Sequence, residues 1–256
     1  MNRLEQLKSS GNKAFVAYIM AGDGGLDRLK EQVQYLQKAG VTAIEIGIPF
    51  SDPVADGPTI EAAGNRALKQ GVTLQKVLEE LQSWTFQVEI PLLVMTYLNP
   101  VLRFGVERFA TECGKAGVSG VIIPDLPFEH KQLVQPYVDK EGIKLIQLVT
   151  LTTTDVRLND ILSEAEGFVY AVTVKGITGS RDEMSEEVKA FMRKVRDKSP
   201  VPVYAGFGIS KSSHVDLLRD DVDGFIVGSA IVEAFNDNRI EEIEPLIHAV
   251  TATHSV

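Results

Sequence analysis

The stretch Ala43–Thr59, AIEIGIPFSDPVADGPT, decides the fold. A short run rich in β-branched residues is followed by a loop of Asp, Pro and Gly, which gives way near Pro58 to a helical pattern. That is one strand–loop–helix unit, and the same order recurs in both directions along the chain. Upstream, FVAYIMAG (from Phe15) leads into LDRLKEQVQYLQKAG. Downstream, strand candidates begin at Pro91 (PLLVMTYL), Gly120 (GVIIP), Lys144 (KLIQLV), Phe168 (FVYAVTV), Val201 (VPVYAGFG) and Asp223 (DGFIVG). Helical patterns such as ERFATECGKAG and EEVKAFMRKVRDKS lie between them, and Gly40, Gly117 and Gly142 stand where helices should stop. Strand and helix alternating this regularly predict βα units and a parallel sheet.

Roughly eight such units in 256 residues suit a single α/β domain, a (β/α)8 TIM barrel over residues 1–256. A doubly wound open sheet is the competing arrangement. No Pro/Ser-rich linker, composition shift or low-complexity tract divides the chain. Apolar residues make up 44% and charged residues 24%, so a large core is available. The formal net charge of -9 argues against nucleic acid or an anionic membrane as partner. A single cysteine, Cys113, permits no intrachain disulfide and fits a reducing, cytoplasmic setting, where it reads as a small buried residue. Neither a signal-peptide core nor a bilayer-length apolar segment is expected.

In a barrel, chemistry belongs at the carboxyl ends of the strands. Along AIEIGI, alternation puts Ile44, Ile46 and Ile48 on one face and Glu45 on the other. Three isoleucines facing the helices turn Glu45 into the barrel, where lost hydration should raise its pKa toward that of a general acid/base at neutral pH. The other inward positions offer no evident cation to pair with it. Asp52 and Asp56 follow in the loop. Both suit ordinary turns, and Asp56 equally suits a cap for the helix near Pro58.

Two glycine sites fall in the loops where TIM barrels usually hold phosphate. Gly206 and Gly208 end one strand, and Gly228-Ser229 ends the next before a helix. No nucleotide fingerprint is present. The stretch FVYAVTVKGITGSRDEMSEE is long for a βα loop and reads as a lid. Lys175, at its start, reads as a solvated lysine, although a lysine near a strand end could also form a Schiff base. His130, His214, His248 and His254 show no metal-ligand spacing.

The segment EIGIPFSDPVADGPT, together with YIMAGD, VMTYLNPV, IIPDLP, VKGITG, GFGIS and VGSAIV in this order, resembles the tryptophan synthase α subunits over nearly the whole chain. The resemblance implies cleavage of indole-3-glycerol phosphate to indole and glyceraldehyde 3-phosphate, with Glu45 and Asp56 as the catalytic pair. It implies further that Tyr97 and Tyr170 lie near the substrate and that Tyr18 and Met95 line an indole pocket. Gly179, Gly206, Phe207, Gly208, Gly228 and Ser229 match phosphate-binding segments, Thr178 a lid threonine, and Asp125 a positional aspartate at the rim. No cofactor or metal is implied for this chain. Pyridoxal phosphate would belong to a partner β subunit in an α2β2 assembly that receives the indole. The chain departs from many relatives at Gly24-Gly25, where they carry Pro. A Schiff-base aldolase using Lys175, and a silent barrel that only binds a phosphorylated ligand or activates a partner, are the rival readings.

Overall fold

The computed structural model describes residues 3–6, 13–84, 86–172, 185–206, 208–209 and 211–251. Among them nine strands form one sheet: β1 Ala14–Met20, β2 Ala43–Gly47, β3 Leu92–Met95, β4 Val118–Ile122, β5 Lys144–Leu145, β6 Gln147–Thr150, β7 Val169–Val172, β8 Val203–Gly206 and β9 Gly224–Val227. Every pairing is parallel. The hydrogen-bonded order runs β5-β4-β3-β2-β1-β9-β8-β7-β6. Only Ile146 separates β5 from β6 in the chain, and its N–H donates to Val121 O at 2.9 Å. The two edge strands, β5 and β6, are therefore one interrupted stave, and the sheet closes into an eight-stave (β/α)8 barrel. The segment KLIQLV, expected as one strand, serves β4 with its first half and β7 with its second.

Helices return the chain between staves as the apolar periodicity requires. Arg28–Lys38 buries Leu29, Val33 and Leu36, Val106–Lys115 buries Phe109, Ala110 and Cys113, and Glu186–Lys198 buries Val188, Met192 and Val195. Gly40, Gly117 and Gly142 all have positive φ, the left-handed conformation that lets a chain leave a helix without a Cβ clash. Ile44, Ile46 and Ile48 are buried outside the ring and Glu45 is turned inward, as the alternation predicted. At the amino end, the short helix Arg3–Gln6 presses Leu4 against the barrel. A Cβ on Gly120 would lie 2.7 Å from Leu93 and 2.9 Å from Leu4, so the missing side chain makes room for that plug.

Cys113 is fully buried, and burial pushes its thiol pKa up, which suits an inert packing residue. Among the described residues no helix is long and apolar enough to cross a membrane.

Candidate active site

A cavity of about 490 Å³ opens at the carboxyl ends of the staves. It is lined by Tyr18, Met95, Tyr170, Ile60 and Ile226 together with Gly208, Lys211, His214, Gly228, Ser229 and Glu233. Asp56 and Gly57 reach it from the loop after β2. The lining thus combines aromatic and aliphatic side chains with small and polar residues.

Glu45 lies under this cavity. It is fully buried, and neither carboxylate oxygen has a hydrogen-bond partner. Parallel register sets it between Tyr18 of β1 and Leu93 of β3. Lys144, the one cation on the described strands, is already paired with Glu166 at 2.8 Å. An ionised carboxylate so placed loses its hydration and gains nothing in return. Burial first, and the nearby charge of Asp56 second, push its pKa up to about 8. Two residues along β2, Gly47 leaves open the space that Tyr18 occupies: a Cβ there would sit 2.0 Å from Tyr18 Oη. The phenol therefore leans across the stave directly above Glu45 and roofs it from the cavity.

Asp56 is half-buried, and its environment differs. The helix Pro58–Lys69 takes Gly57 as its N-cap, with no side-chain cap, so Asp56 does not serve the capping role its spacing allowed. Its Oδ1 instead accepts from Tyr97 Oη at 2.9 Å, and the same phenolic oxygen accepts from Ala55 N at 3.1 Å. Burial raises the Asp56 pKa while the Tyr97 hydrogen bond pulls it back. Tyr97 packs at 5.3 Å, centroid to centroid, from Phe50 and stands behind the loop rather than in the cavity wall. Asp125 works in a similar manner at the rim, where its Oδ1 accepts from Leu98 N at 2.8 Å. Asp52 is exposed.

The expected residues separate into three groups. Tyr18, Met95, Tyr170, Asp56, Gly208, Gly228 and Ser229 meet in the cavity wall. Glu45, Tyr97 and Gly206 stand just outside it. At Gly206 a Cβ would lie 2.3 Å from the Tyr170 ring, so the missing side chain makes room for the tyrosine. Thr178, Gly179 and Phe207, and the lid with Lys175, lie outside the described residues.

Among the small and polar residues, Gly208 has φ +81° and Gly228 begins the helix Ser229–Asn236. Gly228 O accepts from Ile231 N and Val232 N, which leaves the preceding amides, in the first turn, free of intrahelical duty. Such a turn beside glycines suits an anion. Sequence reading missed three contributors here. Glu233 stands one helical turn after Ser229, a spacing that puts both on one face. Lys211 and His214 follow Gly208 closely, a proximity that could have singled them out. Among the described residues no group of three or more His, Cys, Asp or Glu side chains is placed to hold a metal ion.

Comparison with known proteins agrees over the whole chain. The model of one family, tryptophan synthase alpha chain, matches residues 4–255. The tryptophan synthase alpha chain of Bacillus mycoides is 49% identical over 244 residues, 95% of each chain, and that of a Bacillus cereus strain is 49% identical over 249 residues, 96% of each. Tryptophan synthase subunit alpha from Legionella pneumophila superposes with a TM-score of 0.86 at 32% identity, covering 98% of this chain and 97% of that one. A chain of the tryptophan synthase a2b2 complex of Pyrococcus furiosus gives 0.84 at 35% identity, covering 93% and 96%. With a barrel of this topology and a match running from residue 4 to residue 255, the chain belongs to the tryptophan synthase alpha chain family.

Proposed function

We propose that Glu45 and Asp56 carry out the reaction of this family in this chain, the retro-aldol cleavage of indole-3-glycerol phosphate to indole and glyceraldehyde 3-phosphate. The observation that carries the assignment is a fully buried carboxyl group with no partner on either oxygen, directly beneath a cavity that Asp56 enters from the side.

The bond to be broken joins C3 of indole to the glycerol chain. Indole leaves poorly until C3 is protonated and the ring becomes an electron-accepting indolenine. With a pKa of about 8, Glu45 holds a proton at neutral pH and donates it to C3. As a carboxylate it then takes the proton of the 3′-hydroxyl. The O–H electrons form the aldehyde, the C–C pair restores the C2=C3 bond of the ring, the C=N pair returns to the ring nitrogen, and Glu45 ends protonated as it began. Positive charge on the ring N–H during this passage is met by Asp56, whose loop Tyr97 holds. Tyr18, Met95 and Tyr170 receive the indole. Gly208, Gly228 and Ser229 receive the phosphate, and the resemblance adds Thr178, Gly179 and Phe207 to that set.

Carboxylates moving a proton need no cofactor in this chain, and pyridoxal phosphate belongs to the β subunit. Residues 1–256 act as one barrel domain. The setting is cytoplasmic, a reading supported by the lone buried Cys113. The partner is a tryptophan synthase β subunit, as in the a2b2 complex of the Pyrococcus relative. A second, larger cavity of about 1210 Å³ shares Asp56 and Gly57 with the first and carries the outward-facing Val54 and Val156, 83% and 73% exposed. A β subunit seated there would touch the loop that bears Asp56.

Incubation of the purified chain with indole-3-glycerol phosphate tests the reading. Indole and glyceraldehyde 3-phosphate should appear in equal amounts, with no adduct trapped by borohydride. A reduced covalent adduct at Lys175 would favour the Schiff-base aldolase, and absence of any cleavage the silent barrel.

A further inference from the structure

A phosphate held by the glycine segments brings a full charge into a cavity that also carries carboxylates. A phosphate dianion must enter a wall that already holds Asp56 and Glu233, above the carboxyl group of Glu45, in a chain of net charge -9. Backbone amides supply partial charges only. Among the described residues that line the cavity, Lys211 is the one lysine or arginine. Its backbone is extended, at φ -140° and ψ 155°, and its carbonyl accepts from His214 N at 3.0 Å, which anchors the residue at the cavity edge. Lys211 is exposed, and its compact ammonium sits on a flexible four-carbon stem. Glu233 lines the same cavity, and its Oε1 accepts from Thr59 Oγ1 at 2.8 Å, which ties it to the helix that follows Asp56.

We propose that Lys211 is the cation that binds the substrate phosphate, and that Glu233 is the opposing carboxylate that limits how tightly the phosphate is held. The inference rests on the reading of this cavity as the indole-3-glycerol phosphate site, and it adds to that site two side chains of opposite sign. Lys211 supplies affinity for the phosphorylated substrate without touching the reacting carbon. Glu233 weakens the hold on the phosphate, which eases release of glyceraldehyde 3-phosphate.

The test uses the full chain and two ligands, glycerol 3-phosphate and uncharged indole, with binding measured by calorimetry alongside steady-state cleavage. In Lys211→Gln, affinity for glycerol 3-phosphate should fall roughly tenfold, about 1.4 kcal/mol, and KM for indole-3-glycerol phosphate should rise in step. kcat should stay within about twofold, and indole affinity should not move. Lys211→Arg should restore most of the phosphate affinity. Glu233→Gln should shift it the other way, tightening glycerol 3-phosphate several-fold. A structural role would not give effects of opposite sign confined to the charged ligand. Unchanged glycerol 3-phosphate affinity in Lys211→Gln, or equal loss for indole, overturns the proposal while leaving the cleavage assignment intact. A wild-type chain that neither cleaves indole-3-glycerol phosphate nor binds glycerol 3-phosphate overturns the reading of the cavity itself.

Discussion

Tyr97→Phe isolates the part of the account that concerns Asp56. The substitution deletes one oxygen, and with it the hydrogen bond to Asp56 Oδ1 at 2.9 Å and the acceptor for Ala55 N at 3.1 Å. The ring stays, so its packing on Phe50 and its burial survive. The volume is kept, so any cost in global stability comes from the lost hydrogen bonds rather than from a cavity, at most about 1–3 kcal/mol. A hydrogen bond to an ionised group contributes about 1.5–3 kcal/mol. If that bond serves chiefly to hold Asp56 against the indole N–H, kcat/KM should fall roughly ten- to a hundredfold. The bond also holds the Asp56 pKa down against burial, so its loss raises that pKa. The acid limb of the pH–rate profile should therefore move to higher pH. Indole release from indole-3-glycerol phosphate, followed across pH in Tyr97→Phe, Asp56→Asn and the double variant, reads all of this. In the Asp56→Asn background the Tyr97 change should add almost nothing, since the two act through one group. Losses that simply multiply, or a Tyr97→Phe enzyme within twofold of wild type, would refute the reasoning.

Other outcomes follow from the same geometry. Glu45 binds its proton far more tightly folded than unfolded, so between pH ~4.5 and ~8 its presence costs stability that grows with pH, by up to about 1.4 kcal/mol per pH unit. Thermal melts of Glu45→Gln should thus show no gain below that window, a growing gain through it and a constant gain above it. In the wild type, kcat/KM should fall on the alkaline side near pH 8, as Glu45 loses the proton it must donate, and a profile flat to pH 10 would contradict that role. Gly47→Ala forces a Cβ to within 2.0 Å of where Tyr18 Oη now stands, so the phenol must swing out into the cavity. Substrate affinity should drop severalfold or more while melting temperature changes modestly, and titration with substrate checks it. Addition of a β subunit should raise indole release, because it would meet the loop carrying Asp56, whereas equal rates with and without it would remove that coupling.

Much of this was legible in the sequence because two periodicities carried it. Strand alternation alone turned Glu45 inward, and burial then dictates its chemistry whatever the neighbours. Helix stops at Gly40, Gly117 and Gly142 could be placed because positive φ there is a local demand. The break at Ile146 was not legible: β-branched continuity in KLIQLV says nothing about which neighbour each half will pair with. Asp56 was equally out of reach, because its partner is Tyr97, forty-one residues away, and a turn aspartate looks the same with or without it. Gly206 has a second reading for a related reason. A glycine at a strand end beside a phosphate loop is also what a barrel needs where a tyrosine ring crosses the stave. Lys211 and Glu233 escaped notice because surface charges acquire meaning only from the cavity they face.

The central claim is that a buried, unpaired Glu45 moves the proton that frees indole. Its most direct test is the rate of indole release from indole-3-glycerol phosphate by Glu45→Gln, measured at pH 7 beside the wild type, with glycerol 3-phosphate binding as a check on the site. The account predicts a fall in kcat on the order of 10²–10⁴-fold with phosphate affinity preserved. A Glu45→Gln enzyme that releases indole at the wild-type rate would contradict it.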